Sequence, residues 1–286
     1  MSGTDYLAAA TIAEAIGALK QDGARLLAGG TDLLVQMRSG RVRPKLVVDI
    51  KRIPGITEIR AEDGGFVIGA AASGAAIGEN VALRKAWPGV VEAANLIGST
   101  QVQGRASLGG NLCNASPAAD SVPALIAADA ICIVEGPKGR REVPVEQVQT
   151  GPGRTSLAAD EVLVAFRLPP RPERSGDAYL RLIPRTEMDI AVVGAGVSVT
   201  MDAAGVCLAA RVAVGAVAPT AILVDAAATV LVGTRLDEPA LLRMDEAVRA
   251  ACKPISDKRG TVEYRTRIAS VLARRAVAIA KERAAA

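Results

Sequence analysis

The segment RLLAGGTDLLVQMRSG, residues 25–40, restricts the fold more than any other part of the chain. An apolar run stops at two glycines, passes Thr31 and Asp32, and restarts with apolar residues at helical spacing up to Gly40. Gly29 and Gly30 carry no Cβ, so the backbone there can take positive φ and approach another group closely. ARLLAG reads as a short buried strand, DLLVQMRSG as a helix and KLVVDI as the next strand, which predicts a strand, glycine turn, helix, strand unit. The free amides that open such a helix favour an anion. Thr31 adds a hydroxyl and Asp32 is the expected N-cap. A tight turn with an ordinary cap would leave the same trace.

About eighty residues further on, SLGGNLCNASPAADS repeats the idea with different residues. Ser107, Gly109, Gly110 and Asn111 again set a glycine pair among hydrogen-bonding side chains, and Asn114, Ser116 and Asp120 extend the polar line. Residues 98–120 form the longest stretch without apolar periodicity, and so long a loop inside a domain usually has a function. Two amide-rich loops can enclose a diphosphate from both sides. A branched side chain at Gly110 is expected to obstruct the phosphate and to resist positive φ. By contrast, VVGAGVSV at 192–199 only imitates a dinucleotide fingerprint, because Val199 holds the third glycine position and the pattern continues as a strand rather than a helix.

The rest of the chain alternates helical and strand patterns. Thr11 and Glu14 form a capping box opening a helix that Gly23 ends. Helical patterns follow at 77–85 and 88–97, a further helix at SVPALIAADA, and a hairpin turning at 136–139. LPPRPERSGD is the best linker candidate. Beyond it, paired strands turn at DAAG, and helices are predicted over 241–252 and 263–286. In the last helix Tyr264, Ile268, Val271, Leu272 and Ile279 share one face, flanked by Arg265, Arg267, Arg274 and Lys281.

Composition removes several classes of function. The chain has no histidine, which eliminates Ser-His and Cys-His pairs, common zinc sites, an imidazole base and a histidine-tethered flavin. One Trp, three Tyr and two Phe are too few for stacking single-stranded nucleic acid, and a net charge of +4 is mild. The four cysteines, Cys113, Cys132, Cys207 and Cys252, make no Cys-x-x-Cys pair and read as reduced thiols of a cytoplasmic protein. The longest apolar stretch, VCLAARVAVGAVA, is broken by Arg211, so no membrane span is predicted, and the N-terminal residues lack the pattern of a signal peptide.

RLLAGGTDLL, SLGGNLCNASPAADSVPAL, YLRLIPRTEMDIAVVGAG and DKRGTVEYRTRIASVLARRA, taken in that order, resemble the FAD-binding medium subunit of the molybdenum hydroxylases, the carbon monoxide dehydrogenase and xanthine dehydrogenase type. The resemblance implies an α+β fold: a two-subdomain FAD-binding domain of the molybdenum hydroxylase flavoprotein (PCMH-like) type at 1–175, with subdomains at about 1–60 and 61–175, then a smaller C-terminal α+β domain at 176–286. It implies that Leu27, Ala28, Gly29, Gly30, Thr31, Asp32, Leu33 and Leu34, together with Ser107, Leu108, Gly109, Gly110 and Asn111, hold the pyrophosphate of a non-covalent FAD. Asp120 matches a carboxylate that hydrogen-bonds the cofactor, and Ile97 and Leu163 fall where apolar residues flank it. Arg181 falls where relatives often carry a lysine near the flavin. The four-cysteine iron–sulfur insertion of relatives that reduce aromatic thioesters is missing.

In such a subunit no catalytic residue and no metal ligand are expected. The family's 2Fe–2S clusters sit in a small partner subunit and its molybdopterin cofactor in a large one, in a dimer of heterotrimers without nucleic acid. The flavin takes electrons from the clusters and passes them to an external acceptor. The residues alone leave two other readings open, a self-contained flavin oxidoreductase of the same fold superfamily and a non-catalytic interaction protein.

Overall fold

Three parallel strands open the fold in the computed structural model, which describes residues 3–185 and 188–286. They are β1 (Asp5–Ala8), β2 (Ala24–Leu27) and β3 (Leu46–Asp49), in the order β1-β3-β2. Between them lie α1 (Ile12–Leu19) and α2 (Leu33–Arg38), so the strand, glycine turn, helix, strand unit forms as read. The Thr11 hydroxyl accepts the Glu14 amide at 3.1 Å, while the Glu14 carboxylate accepts the Ala10 amide at 2.7 Å, one residue further back than a standard capping box. Ala15, Ile16 and Leu19 of α1 pack with Val48, Ile50, Ile53 and Ile56 in a small aliphatic core.

The middle of the chain holds a five-stranded antiparallel sheet in the order β4-β5-β10-β6-β7. Its first strands, β4 (Ile59–Glu62) and β5 (Gly65–Gly69), lead into α3 (Gly74–Glu79), α4 (Val81–Ala86), α5 (Pro88–Asn95), α6 (Thr100–Gln103), α7 (Leu108–Cys113) and α8 (Ser121–Ala127). The remaining strands are β6 (Ile131–Gly136), β7 (Gly139–Pro144), the short pair β8 (Gln149–Gly151) and β9 (Arg154–Thr155), and β10 (Val162–Leu168). Phe166, Ile68, Leu125 and Ile126 centre its core. Residues 98–120, expected as loop, contain α6 and α7; helices of four and six residues are too short for apolar periodicity to register.

The C-terminal part is an antiparallel meander of β11 (Ser175–Leu182), β12 (Val193–Met201), β13 (Cys207–Gly215) and β14 (Ile222–Leu223), covered by α9 (Asp225–Leu231), α10 (Glu238–Ala251) and α11 (Val262–Ala285). The glycines of the false fingerprint serve packing, since a Cβ at Gly196 would lie 2.4 Å from the Pro123 carbonyl oxygen of α8. Helix α11 buries an alanine face, Ala269, Ala273, Ala276, Ala280 and Ala284, because it approaches β11 so closely that a Cβ on Gly176 would meet the Ala280 oxygen at 1.8 Å. This corrects the predicted face: Tyr264 is exposed and Arg265 is buried, donating to the Val192 and Ala216 carbonyls at 2.8 and 3.2 Å and pairing with Asp257 at 2.7 Å. Periodicity cannot find such a residue, because the helix turns a cation inward wherever carbonyls wait for it. The segment read as a linker is tied down: the Arg171 guanidinium stacks 4.3 Å above Trp87 and pairs with Asp177 at 3.0 Å.

Candidate cofactor-binding site

A cleft of about 440 Å³ opens between the β2–α2 turn, the start of α7 and the chain leading into β10. The structure brings most of the expected residues to it: Leu27, Ala28, Gly29, Gly30, Thr31, Asp32 and Leu33 from the first loop, Ser107, Gly109, Gly110 and Asn111 from the second, and Ile97 and Leu163 beside them. Leu34 lies on the other side of the first loop, against a shallow depression shared with Tyr6, Lys51 and Arg105. Leu108 is buried in the core. Asp120 and Arg181 stand outside the lining.

The four glycines do different work. A Cβ on Gly29 would sit 1.8 Å from the Arg105 carbonyl oxygen, so this residue lets the two loops touch backbone to backbone. Gly30 alone of the four has positive φ, +77°. Gly109 lies against Ala70, donating its amide to the Ala70 carbonyl at 3.0 Å where a Cβ would approach that oxygen at 2.4 Å. Gly110 sits in the first turn of α7 with ordinary φ, contrary to the expectation of a positive value. The nearest atom to a Cβ there is the Ser107 hydroxyl oxygen at 3.2 Å, and beyond it the position opens into the cleft. That hydroxyl accepts the Gly110 amide at 3.1 Å and caps the helix.

The first loop is a cradle of donors. Among the described residues, the backbone N–H groups of Gly29, Gly30, Thr31 and Asp32 meet no acceptor, although each such group needs one when taken from water. Successive unpaired amides at a concave turn form an anion site. Asp32 occupies the N-cap position, but its side chain makes no capping bond, which corrects the cap expected there. Asp32 is exposed, and partial desolvation against the loop raises its carboxyl above its ordinary value. Asn111 holds the second loop to α8, its side-chain oxygen accepting the Ser121 amide at 3.1 Å and the Ser121 hydroxyl at 2.7 Å.

The profile of the FAD binding domain in molybdopterin dehydrogenase matches residues 2–171, and that of the CO dehydrogenase flavoprotein C-terminal domain matches residues 178–280. The chain belongs to the FAD-binding subunits of the molybdenum hydroxylases. It is 36% identical over 282 residues to the carbon monoxide dehydrogenase medium chain of Afipia carboxidovorans, covering 98% of this chain and 97% of that one. It is 34% identical over 275 residues to the xanthine dehydrogenase FAD-binding subunit of Escherichia coli O157:H7, covering 95% and 94%. Its backbone superposes on a chain of the reconstituted CO dehydrogenase from Oligotropha carboxidovorans with a TM-score of 0.94 at 35% identity, covering 99% of both chains. Quinoline 2-oxidoreductase from Pseudomonas putida 86 gives a TM-score of 0.90 at 28% identity, covering 99% of this chain and 98% of that one.

The donor set of this molybdenum hydroxylase flavoprotein fits a dinucleotide, with free amides on one loop and, on the other, a glycine whose missing Cβ keeps the approach clear. Behind the cleft, the Arg181 guanidinium bonds the Asp120 carboxylate at 2.9 Å and the Leu96 carbonyl at 2.6 Å, fixing the residue before Ile97. Burial pushes the Asp120 carboxyl up to about 6, against the opposing pull of Arg181. Sequence reasoning missed Gln36, whose side-chain amide donates to the Asn114 side-chain oxygen at 3.0 Å and ties α2 to the end of α7 across the cleft wall. It also missed Arg25, a cation on that wall, and Ala158, Ala159 and Glu161, which only the return of the chain into β10 brings there. Cys113 lines the cleft with its thiol exposed to it.

Proposed function

We propose that this chain is the electron-exit subunit of a molybdenum-containing hydroxylase complex, holding FAD without a covalent bond between its two glycine loops. The observation that carries the reading is the row of unpaired amides at residues 29–32 facing Gly110. These N–H groups and the first turn of α7 bind the pyrophosphate, Ile97 and Leu163 flank the ring system, and the Arg181–Asp120 pair stiffens the wall behind it. FAD supplies one- and two-electron redox chemistry when bound. The chain supplies binding and orientation, with residues 1–175 as the FAD-binding domain and 176–286 as the C-terminal domain. Electrons arrive from 2Fe–2S clusters in a small partner subunit, which drains a molybdopterin site in a large one, and leave to an external acceptor. The complex is a cytoplasmic dimer of heterotrimers. No helix among the described residues is long and apolar enough to cross a membrane, and no group of His, Cys, Asp and Glu there is arranged to hold a metal.

The test compares the lone subunit with the reconstituted complex. The purified chain is expected to release yellow flavin into solution on acid treatment, to accept electrons from dithionite and to return them to a dye. It is expected to oxidise heterocycles, aldehydes and carbon monoxide only after reconstitution with iron–sulfur and molybdenum chains. Substrate oxidation by the lone chain at the rate of the complex would replace this reading with that of a self-contained oxidoreductase.

A further inference from the structure

Helix α2 leaves an apolar surface uncovered. Four of its six residues are Leu33, Leu34, Val35 and Met37, yet none is buried. Leu33 and Gln36 line the cleft, while Leu34 and Val35 are 50% and 62% exposed. A cationic cluster closes round the far end of the helix. Arg38 lies in its last turn, and the Arg41 and Val42 amides both donate to the Gln36 carbonyl, at 3.0 and 3.3 Å, which folds the chain back on the helix end. There the Arg43 guanidinium lies 3.8 Å from where a Cβ on Gly40 would stand. Arg38, Arg41 and Arg43 are all exposed. Asp22 is taken by Lys45 and Asp49 by Lys51, Asp32 at the other end of the helix pairs with none of the three, and the three guanidinium groups have no carboxylate partner among the described residues. Some arginines elsewhere on the surface, such as Arg60, Arg140, Arg141 and Arg167, have one, while others, such as Arg154, Arg235 and Arg267, stand singly; here three without one fall within six residues beside an exposed apolar helix.

An exposed apolar centre beside unpaired arginines is the anatomy of a protein interface, where aliphatic residues desolvate and arginine forms bidentate pairs with carboxylates at the rim. We propose that the outer face of α2, with Arg38, Arg41 and Arg43, docks the electron-donating iron–sulfur subunit through an apolar patch edged by acidic residues. This rests on the electron-exit reading above. The charge selects an acidic partner. The position selects the donor chain, because α2 grows directly out of the loop that lines the cleft, and the chain that hands electrons to a bound flavin has to sit beside it.

Hydrogen exchange of residues 33–43 in the FAD-loaded subunit, alone and in the assembled complex, tests this, since equal flavin loading removes protection due to the cofactor. The expected result is strong protection of this segment on assembly. Arg38→Glu with Arg41→Glu, both surface changes, is expected to weaken assembly by at least about tenfold and to reduce its sensitivity to salt, with flavin content of the free subunit unchanged. Val35→Asp is expected to weaken assembly as well. Unchanged exchange on assembly, or charge-reversed subunits that assemble like the parent, would overturn the proposal. So would protection that grows with concentration in the free subunit, which would assign the face to a second copy of this chain. A parent chain that loads FAD but assembles with no iron–sulfur chain would instead refute the electron-exit reading itself.

Discussion

Gly29→Ala and Gly110→Ala add the same methyl group to the same kind of motif, and the structure predicts opposite consequences for the flavin-free protein. At Gly110 the residue is already helical, so alanine gains up to about 1 kcal/mol of helix propensity. Crowding against the Ser107 hydroxyl at 3.2 Å offsets part of that gain, which leaves stability within about 1 kcal/mol of the parent. The methyl points into the cleft, where a phosphate has to come close. An overpacking cost of about 1–3 kcal/mol there corresponds to FAD bound roughly 5- to 150-fold more weakly. At Gly29 the methyl would lie 1.8 Å from a backbone carbonyl oxygen, a separation no contact tolerates, so the loops have to part. The cost is at least the top of the overpacking range, about 3 kcal/mol, and falls on the fold before any ligand is present. Urea denaturation of the flavin-free variants and fluorescence titration with FAD separate the two effects. Parental FAD affinity in Gly110→Ala would refute the reasoning, and so would a loss of stability there equal to that of Gly29→Ala.

Three further outcomes follow from the geometry. Burial raises the Asp120 carboxyl to about 6, so between about pH 4 and 6 the folded chain holds a proton that the unfolded chain has released; stability from this group is greatest at the acid end and is lost as pH rises through that window, so melting curves should show the parent losing stability relative to Asp120→Asn from about pH 4 to 6, and a constant difference would contradict the raised carboxyl. Removing the buried cation in Arg265→Ala strands the Val192 and Ala216 carbonyls and is expected to cost about 3–5 kcal/mol, read by urea denaturation, with a loss under about 1 kcal/mol contradicting its burial. Gln36→Ala cuts the tie to Asn114, so FAD release measured by stopped flow should accelerate several-fold, about the worth of one hydrogen bond; an unchanged rate would show that the tie does not restrain the cleft.

The local elements were legible in the sequence because each depends on its neighbours along the chain. The strand and helix on either side of Gly29–Gly30, the cap at Thr11, the hairpin at 136–139 and the strand identity of residues 193–201 all formed where spacing and turn chemistry indicated. The two glycine loops of the cleft were legible for the same reason, each being a glycine pair at a helix start, whereas Ile97 and Leu163 came from the family resemblance alone. The reason for each glycine was not. Whether a missing Cβ serves positive φ, as at Gly30, contact with a distant carbonyl, as at Gly29 and Gly109, or an open approach, as at Gly110, depends on what lies opposite, and that is set by residues some forty to eighty positions away. The same holds for Arg265, whose inward turn needs the carbonyls of β12 and of the chain after β13, and for Gln36, whose partner comes from another helix. Periodicity reports which residues avoid water; only the packed chain decides which polar group finds a partner inside.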